Sequence, residues 1–293
     1  MNEEILQKNL DNIQSDFDLF GTRVDKLSMK DRIGFAPISI WEPDWTKVKQ
    51  LKAIIGDSAQ SRTIKATGNN RLGRVELTHE YGFQPTASVF NPHLAQMILS
   101  AYCPPNAKIY DPFAGGGTRG LIASAMGHVY YGVEIRQEEV DRLEKQKVSL
   151  GKDFFLACGD AQEYPHKENF FDFSYTCPPY YNLEIYSDLP SDMSNAKTYD
   201  QFLSMLKNCV GGVYRGLKKG CLSVWVVGNF RDKSGVLTHL NGDLARIAKE
   251  VGFKLHDELI FWGASKSAVQ RCGQFEANRK SVRVHEYILI FKK

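Results

Sequence analysis

Along the first twenty positions Leu6, Leu10, Ile13 and Phe17 recur at helical spacing and predict an amphipathic helix closing near Gly21. Residues 30–85 lose that regularity. Gly34-Phe-Ala-Pro, Trp41-Glu-Pro-Asp-Trp45 and Gly68-Asn-Asn-Arg-Leu-Gly-Arg break the pattern, leaving one short helical stretch over 47–55. From residue 92 the periodicity becomes regular. Pro92 and His93 open a helix through Leu94, Met97 and Ile98. Short apolar runs at 108–111, 129–135, 154–158, 171–175 and 222–227 read as strands, with helical stretches at 118–125, 137–150 and 199–217 among them. A helix over 237–251 stops at Gly252, and 255–262 and 286–291 are the last strands.

Strands alternating with helices predict an α/β fold, a mostly parallel sheet of seven strands with helices on both faces. Only the basic loop 263–284 joins the last two strands, with no apolar helical stretch in it. Neighbouring strands without a crossover helix pair antiparallel, so the last strand should run reversed.

Composition narrows the class. At 293 residues, 43% hydrophobic and 24% charged, the chain suits one large domain with an attached segment and a substantial core. It excludes a disordered chain, a collagen-like fibre and a small disulfide scaffold. No apolar run approaches the ~20 residues of a membrane span. The N-terminus is acidic and polar, unlike a secretory signal, so a cytoplasmic protein is expected. The six cysteines are scattered, and the seven histidines form no His-x-x-His or His-Glu-x-x-His set. Neither a disulfide framework nor a metal site is therefore expected.

A net charge of +3 is too mild to imply a nucleic-acid partner by itself. Its distribution says more. Residues 1–20 carry five acids against one lysine, whereas Arg62, Lys65, Arg71 and Arg74 have no acid between them. Lys266, Arg271, Arg279, Lys280 and Arg283 form a second basic run opposed only by Glu276. A solvated face is the ordinary reading of one such run. Two runs in loop-like sequence make Arg71, Arg74, Lys266, Arg271, Arg279 and Lys280 equally good candidates for phosphate contacts.

The stretch Asp111-Pro112-Phe113-Ala114-Gly115-Gly116-Gly117-Thr118-Arg119-Gly120 lies where the first strand of the regular region turns into its helix. Glycines there let the backbone approach a ligand at the carboxyl edge of a parallel sheet. Three acids should meet on that edge: Asp111, Glu134 and Asp160. Glu134 is placed for ribose hydroxyls. Asp111 at the mouth of the turn would repel a pyrophosphate and attract a sulfonium, which favours S-adenosylmethionine over a dinucleotide. Asp160 would accept from an adenine amino group or cap a helix. The fourth strand of this region ends in Thr176-Cys177-Pro178-Pro179-Tyr180-Tyr181, where two prolines fix two φ angles and make a stiff corner beside that pocket.

The motifs Asp111-Pro-Phe-Ala-Gly-Gly-Gly-Thr, Gly132-Val-Glu134 and Thr176-Cys-Pro-Pro-Tyr180 resemble those of DNA amino-methyltransferases. Val227-Gly-Asn-Phe-Arg231, Gly252-Phe and the terminal His285-Glu-Tyr add to the likeness. The run from Cys177 to Asp188, with Gln274-Phe-Glu-Ala-Asn-Arg-Lys280, is similar to phage- and prophage-type modification methylases, some of which partner restriction enzymes. The resemblance covers about 85–293; residues 1–80 match no such motif. It implies a Rossmann-like methyltransferase sheet and methyl transfer from S-adenosylmethionine to cytosine N4 or adenine N6 in DNA, with no metal. It assigns cofactor binding to Asp111, Pro112, Phe113, Ala114, Gly115, Gly117, Thr118, Glu134 and Asp160, and catalysis to Cys177, Pro178, Pro179 and Tyr180.

In that family the first residue of the catalytic motif and the next carbonyl accept hydrogen bonds from the target amine, freeing its lone pair for in-line attack. The family has Asp, Asn or Ser where this chain has Cys177, a weak acceptor, so the Pro178 carbonyl is expected to carry more of that role. Tyr180 would stack on an everted base, with Tyr181 and Tyr186 as weaker candidates. Glu184 and Asp188, in the loop after the motif, are candidates for polarising the base. Cytosine-C5 enzymes carry Pro-Cys, the reverse of Cys177-Pro178, which disfavours a thiol nucleophile. The expected organisation is an N-terminal segment, 1–85, that contacts DNA, and a methyltransferase domain, 86–293, lacking the family's large recognition region. An RNA or protein amide methyltransferase, or an inactive DNA-binding accessory protein of this fold, are the alternatives.

Overall fold

The computed structural model describes residues 38–55, 65–66, 90–147, 153–181, 184–232, 234–263 and 273–293. In chain order it begins with β1 (Ile40–Trp41), α1 (Trp45–Ile55) and β2 (Lys65–Ala66). The regular region follows as α2 (Pro92–Tyr102), β3 (Lys108–Asp111), α3 (Thr118–Ala125), β4 (Val129–Glu134), α4 (Gln137–Lys147), β5 (Phe154–Cys158) and β6 (Phe171–Thr176). After β7 (Glu184–Ile185) and a 3₁₀ turn at Met193–Asn195 come α5 (Tyr199–Gly216), β8 (Leu217–Val227), β9 (Phe230–Arg231) and β10 (Leu237–Thr238). The chain closes with α6 (Leu240–Val251), β11 (Lys254–Trp262), α7 (Gly273–Asn278) and β12 (His285–Lys292). The helix predicted in residues 1–20 lies outside the described residues.

Eight strands form the main sheet in the order β1-β11-β12-β8-β6-β3-β4-β5. The eighth, beyond the seven expected, is the two-residue edge strand β1, parallel to β11. As anticipated, the last strand is reversed: β12 is antiparallel to both neighbours, β11 and β8, and sits between them. The loop before it, read as helix-free, contains the short helix α7. Strand β8 begins five residues earlier than its apolar run, because Leu217 pairs with Phe171 before a register shift that brings Leu222 opposite Phe173. Helix α6 begins at Leu240, after Leu237–Thr238 has paired with Phe230–Arg231 instead.

Alternation along the central strands builds two hydrophobic layers. Val224 and Val226 of β8 and Ile288 and Ile290 of β12 face a core with Leu94, Ile98, Leu121 and Leu143 from α2, α3 and α4. Trp225, Val227, Leu289 and Phe291 face the opposite core with Phe202, Leu206, Val210 and Leu244 from α5 and α6. Strand order leaves β3 towards β4 and β5 on one side, then returns to β6 on the other. Such a reversal opens a crevice at the carboxyl ends of β3 and β6, where ligands bind in open α/β sheets.

Candidate active site

The turn after β3 is held from below. Asp111 is fully buried, and its Oδ2 accepts from Arg119 Nε at 2.7 Å and the Tyr130 hydroxyl at 2.8 Å. Its Oδ1 accepts from Phe113 N at 3.0 Å and Thr176 Oγ1 at 2.6 Å. One carboxylate thereby joins β3, α3, β4 and the end of β6. Above it, Gly115 and Gly117 adopt left-handed φ of +53° and +78°, a region that costs an L side chain about 1–2 kcal/mol. A Cβ at Gly117 would also strike Leu143, and one at Gly120 would lie 2.5 Å from the rings of Tyr130 and Phe154. Arg142 of α4 donates to the Gly116 carbonyl at 3.0 Å.

A cavity of about 230 Å³ opens over this turn, and it brings the two sequence motifs together. Pro112 to Arg119 line one wall, Val133 to Arg136 with Gly159 to Ala161 the next, and Cys177 to Tyr180 the third. Phe90 and Asn91 before α2, Tyr186, Ser191 to Met193, and Glu286 complete it.

The expectation for Asp111 needs correction. It does not line the cavity, and its charge is already met by Arg119 beneath the turn. The negative character expected of the pocket comes instead from Glu134, Asp160, Asp192 and Glu286. The two cations in the wall, Arg119 and Arg136, are each ion-paired with a carboxylate. A pocket of that sign suits a sulfonium and an amine and disfavours a pyrophosphate.

Glu134 is buried at the end of β4, and its Oε1 accepts from Arg136 N at 3.1 Å and Nε at 3.2 Å. Burial raises its carboxyl above the ordinary range, with Arg136 acting against the shift. Neither of those bonds uses Oε2, which is left as an acceptor for the hydroxyl donors of a ribose diol. Asp160 is half-buried and accepts from Gln162 N at 2.9 Å, so it caps a turn rather than a helix while also lining the cavity. These features fit a nucleoside-bearing cofactor: glycines where side chains would be strained, a buried acid at the next strand end, and a net negative wall.

On the third wall Tyr180 is fixed in plane. Its hydroxyl accepts from Gly228 N at 2.9 Å and donates to Glu286 Oε1 at 3.5 Å, and its ring meets Phe230 edge-on at 6.2 Å. Burial, then the charge of Glu286, pushes the Tyr180 phenol well above its ordinary value. Tyr181 instead packs with Tyr199 and Phe202 and donates to the Lys197 carbonyl. Tyr186 lines the cavity with its ring 5.9 Å from the Arg136 guanidinium. Asp188 is exposed, and the side chain of Glu184 lies outside the described residues.

Sequence reasoning missed Glu286, Asp192 and Arg136. Glu286 had a readable signal: in a reversed last strand the first residues, not the last, arrive at the ligand edge. Of the six basic candidates, Arg71, Arg74, Lys266 and Arg271 lie outside the described residues. Arg279 is exposed with its guanidinium 5.6 Å from the Phe275 ring, and Lys280 Nζ donates to the Gly235 carbonyl at 3.0 Å. Neither lines the cavity. Among the described residues no group of three His, Cys, Asp or Glu is placed to hold a metal ion, and no helix is long and apolar enough to cross a membrane.

Residues 22–145 match the family model of N6/N4-type DNA methylases. This likeness spans 124 of the chain's 293 residues. The DNA methylase match contains the glycine turn and Glu134 and stops short of Cys177. It begins at residue 22, inside the segment to which the sequence motifs assigned no likeness. The type II methyltransferase M.HinfI of Haemophilus influenzae is 36% identical over 80 residues, which are 27% of this chain and 21% of that protein. The chain thus matches about a fifth of the length of this methyltransferase relative. Among solved structures, an S-adenosylmethionine-dependent methyltransferase of Methanosarcina mazei is 15% identical with a TM-score of 0.48, covering 67% of this chain and 96% of that one. The 1,6-didemethyltoxoflavin N1-methyltransferase of Burkholderia thailandensis is 15% identical with a TM-score of 0.46, covering 75% and 82%.

Proposed function

We propose that this chain transfers a methyl group from S-adenosylmethionine to an exocyclic amino group of a base in DNA, cytosine N4 or adenine N6. The observation that carries this reading is that the glycine turn and the Cys177-Pro-Pro-Tyr180 corner line one cavity, beside a buried hydrogen bond from Thr176 to Asp111 that ties the two. The DNA methylase match over 22–145 supports the choice of substrate class.

When bound, the cofactor supplies a methyl group on a cationic sulfur, an electrophile that needs no metal. Pro112 to Ala114, Gly115, Gly117 and Thr118 shape the wall against it, Glu134 holds its ribose hydroxyls, and Asp160 meets its base. The stiff Pro178-Pro179 corner presents the Pro178 carbonyl as an acceptor for the target amine, with the Cys177 sulfur a weaker one. Tyr180, fixed by Gly228 and Glu286, offers a rigid face for stacking the everted base.

Residues 86–293 are proposed as the methyltransferase domain and 1–85 as a segment contacting DNA. Arg71, Arg74, Lys266, Arg271, Arg279 and Lys280 would serve as phosphate contacts. Changing Arg71 and Arg74 to alanine should weaken binding to duplex DNA and lower its salt slope by about 2; an unchanged slope would remove them from the interface.

The activity is tested by incubating the purified protein and tritiated S-adenosylmethionine with unmethylated duplex DNA, with RNA and with bulk protein. Label should enter DNA and be recovered after digestion as N4-methylcytosine or N6-methyladenine. Label in RNA or protein with none in DNA would reject the proposal.

A further inference from the structure

The methyl acceptor must shed a proton, and Glu286, which lines the cavity and holds the Tyr180 hydroxyl, has so far no role towards the substrate itself. The other acids of the cavity are bonded to neighbours, and the open oxygen of Glu134 already has the ribose as its proposed partner. Asp192 accepts from the N–H and hydroxyl groups of both Ser187 and Ser194. Asp160 is bonded to Gln162, and Glu134 to Arg136. Glu286 differs. Among the described residues its hydrogen bond is to the Tyr180 hydroxyl, through Oε1 at 3.5 Å, the limit of hydrogen-bond reach, so Oε2 remains for a ligand.

We infer that Glu286 accepts one N–H of the target amino group and takes its proton as the methyl arrives, an inference that rests on the activity proposed above. The step balances. The amine lone pair forms the N–CH3 bond while the S–CH3 bond breaks, and its electron pair returns to sulfur. The nitrogen then carries a positive charge and one proton in excess. That proton passes to the Glu286 carboxylate, leaving a neutral methylamine and a neutral acid, which later releases the proton to water.

Three observations lead here. Reversal of β12 brings Glu286, its second residue, to the same edge as the end of β6. The neighbouring Cys177 sulfur is a weak acceptor, so the corner otherwise relies on backbone carbonyls. Burial raises the Glu286 carboxyl above its ordinary value, with the Tyr180 hydroxyl acting against the shift. A proton acceptor working near neutral pH needs a value moved in that direction.

The test compares wild type with Glu286→Gln, Glu286→Asp and Glu286→Ala. Three readouts are taken: single-turnover methylation of duplex DNA carrying the modified site, calorimetric affinity for S-adenosylhomocysteine, and urea unfolding. Glutamine keeps an acceptor for the Tyr180 hydroxyl and cannot take a proton. The expected result is a rate about 100-fold or more lower in Glu286→Gln and Glu286→Ala, partial recovery in Glu286→Asp, and homocysteine-product affinity within about twofold throughout. If Glu286→Gln methylates like wild type, Glu286 serves only to anchor Tyr180 and the inference falls. Loss of product affinity or of folding in Glu286→Gln with the same losses in Glu286→Asp also overturns it, because the residue is then structural. A wild type that labels no DNA removes the activity itself, a result distinct from either.

Discussion

Replacing Asp111 with asparagine separates two roles for the acid at the mouth of the glycine turn. Its Oδ2 is bonded to the Arg119 guanidinium at 2.7 Å, and the two side chains are 0% and 7% exposed. Asparagine preserves shape and keeps an acceptor for Phe113 N and Thr176, but turns an N–H donor towards Arg119 Nε and the Tyr130 hydroxyl. A buried guanidinium stripped of its partner costs about 3–5 kcal/mol. That is a large part of the ~5–15 kcal/mol that holds a typical domain folded. Urea unfolding followed by circular dichroism should show Asp111→Asn destabilised by that amount, with a midpoint lower by about 1 M or more. Adding Arg119→Leu should restore part of the loss, since no unpaired charge then remains. The opposite outcome is equally readable. If Asp111→Asn unfolds within about 1 kcal/mol of wild type yet no longer binds S-adenosylhomocysteine, Asp111 meets the ligand directly and the network argument is refuted.

Gly117→Ala, at φ +78° and with Leu143 against its would-be Cβ, should lose about 1–3 kcal/mol in the same unfolding assay; a neutral result would mean that the turn relaxes freely. Glu134→Gln should weaken S-adenosylhomocysteine binding about 10- to 100-fold by calorimetry, the worth of charge-assisted bonds to a diol, and an unchanged affinity would take Glu134 out of the site. His128 is buried, accepts from Ala107 N through Nδ1 at 3.2 Å, and is depressed by burial from 6.5 to about 4. The unfolded chain therefore binds a proton between those values that the folded chain does not, so stability present above about pH 6.5 should fall as pH drops towards 4, by about 3 kcal/mol for this residue. His93, depressed to about 4 by burial, then by the charge of Lys47, acts over the same interval. His128→Asn should flatten its share of the slope in urea melts at pH 4.5 and 7.

What the linear chain determined was local. Strands and helices from residue 92 onward follow from periodicity, because buried parallel strands need continuous apolar runs such as Val224 to Val227 and helices need a 3.6-residue stripe. The glycine turn was legible because glycine adopts the left-handed φ found at 115 and 117 without the cost that an L side chain incurs there. Even the reversed last strand could be read, from the loop joining it to its predecessor. Tertiary structure decided which charges face the cavity. Asp111, beside the turn in sequence, is neutralised by Arg119 from the next helix and drawn under the turn. Glu286, 106 residues beyond Tyr180, meets it because an antiparallel strand delivers its first residues to the edge where parallel strands deliver their last. Electrostatic roles depend on distances and burial that no spacing along the chain encodes, whereas backbone conformation depends mainly on neighbours a few residues away.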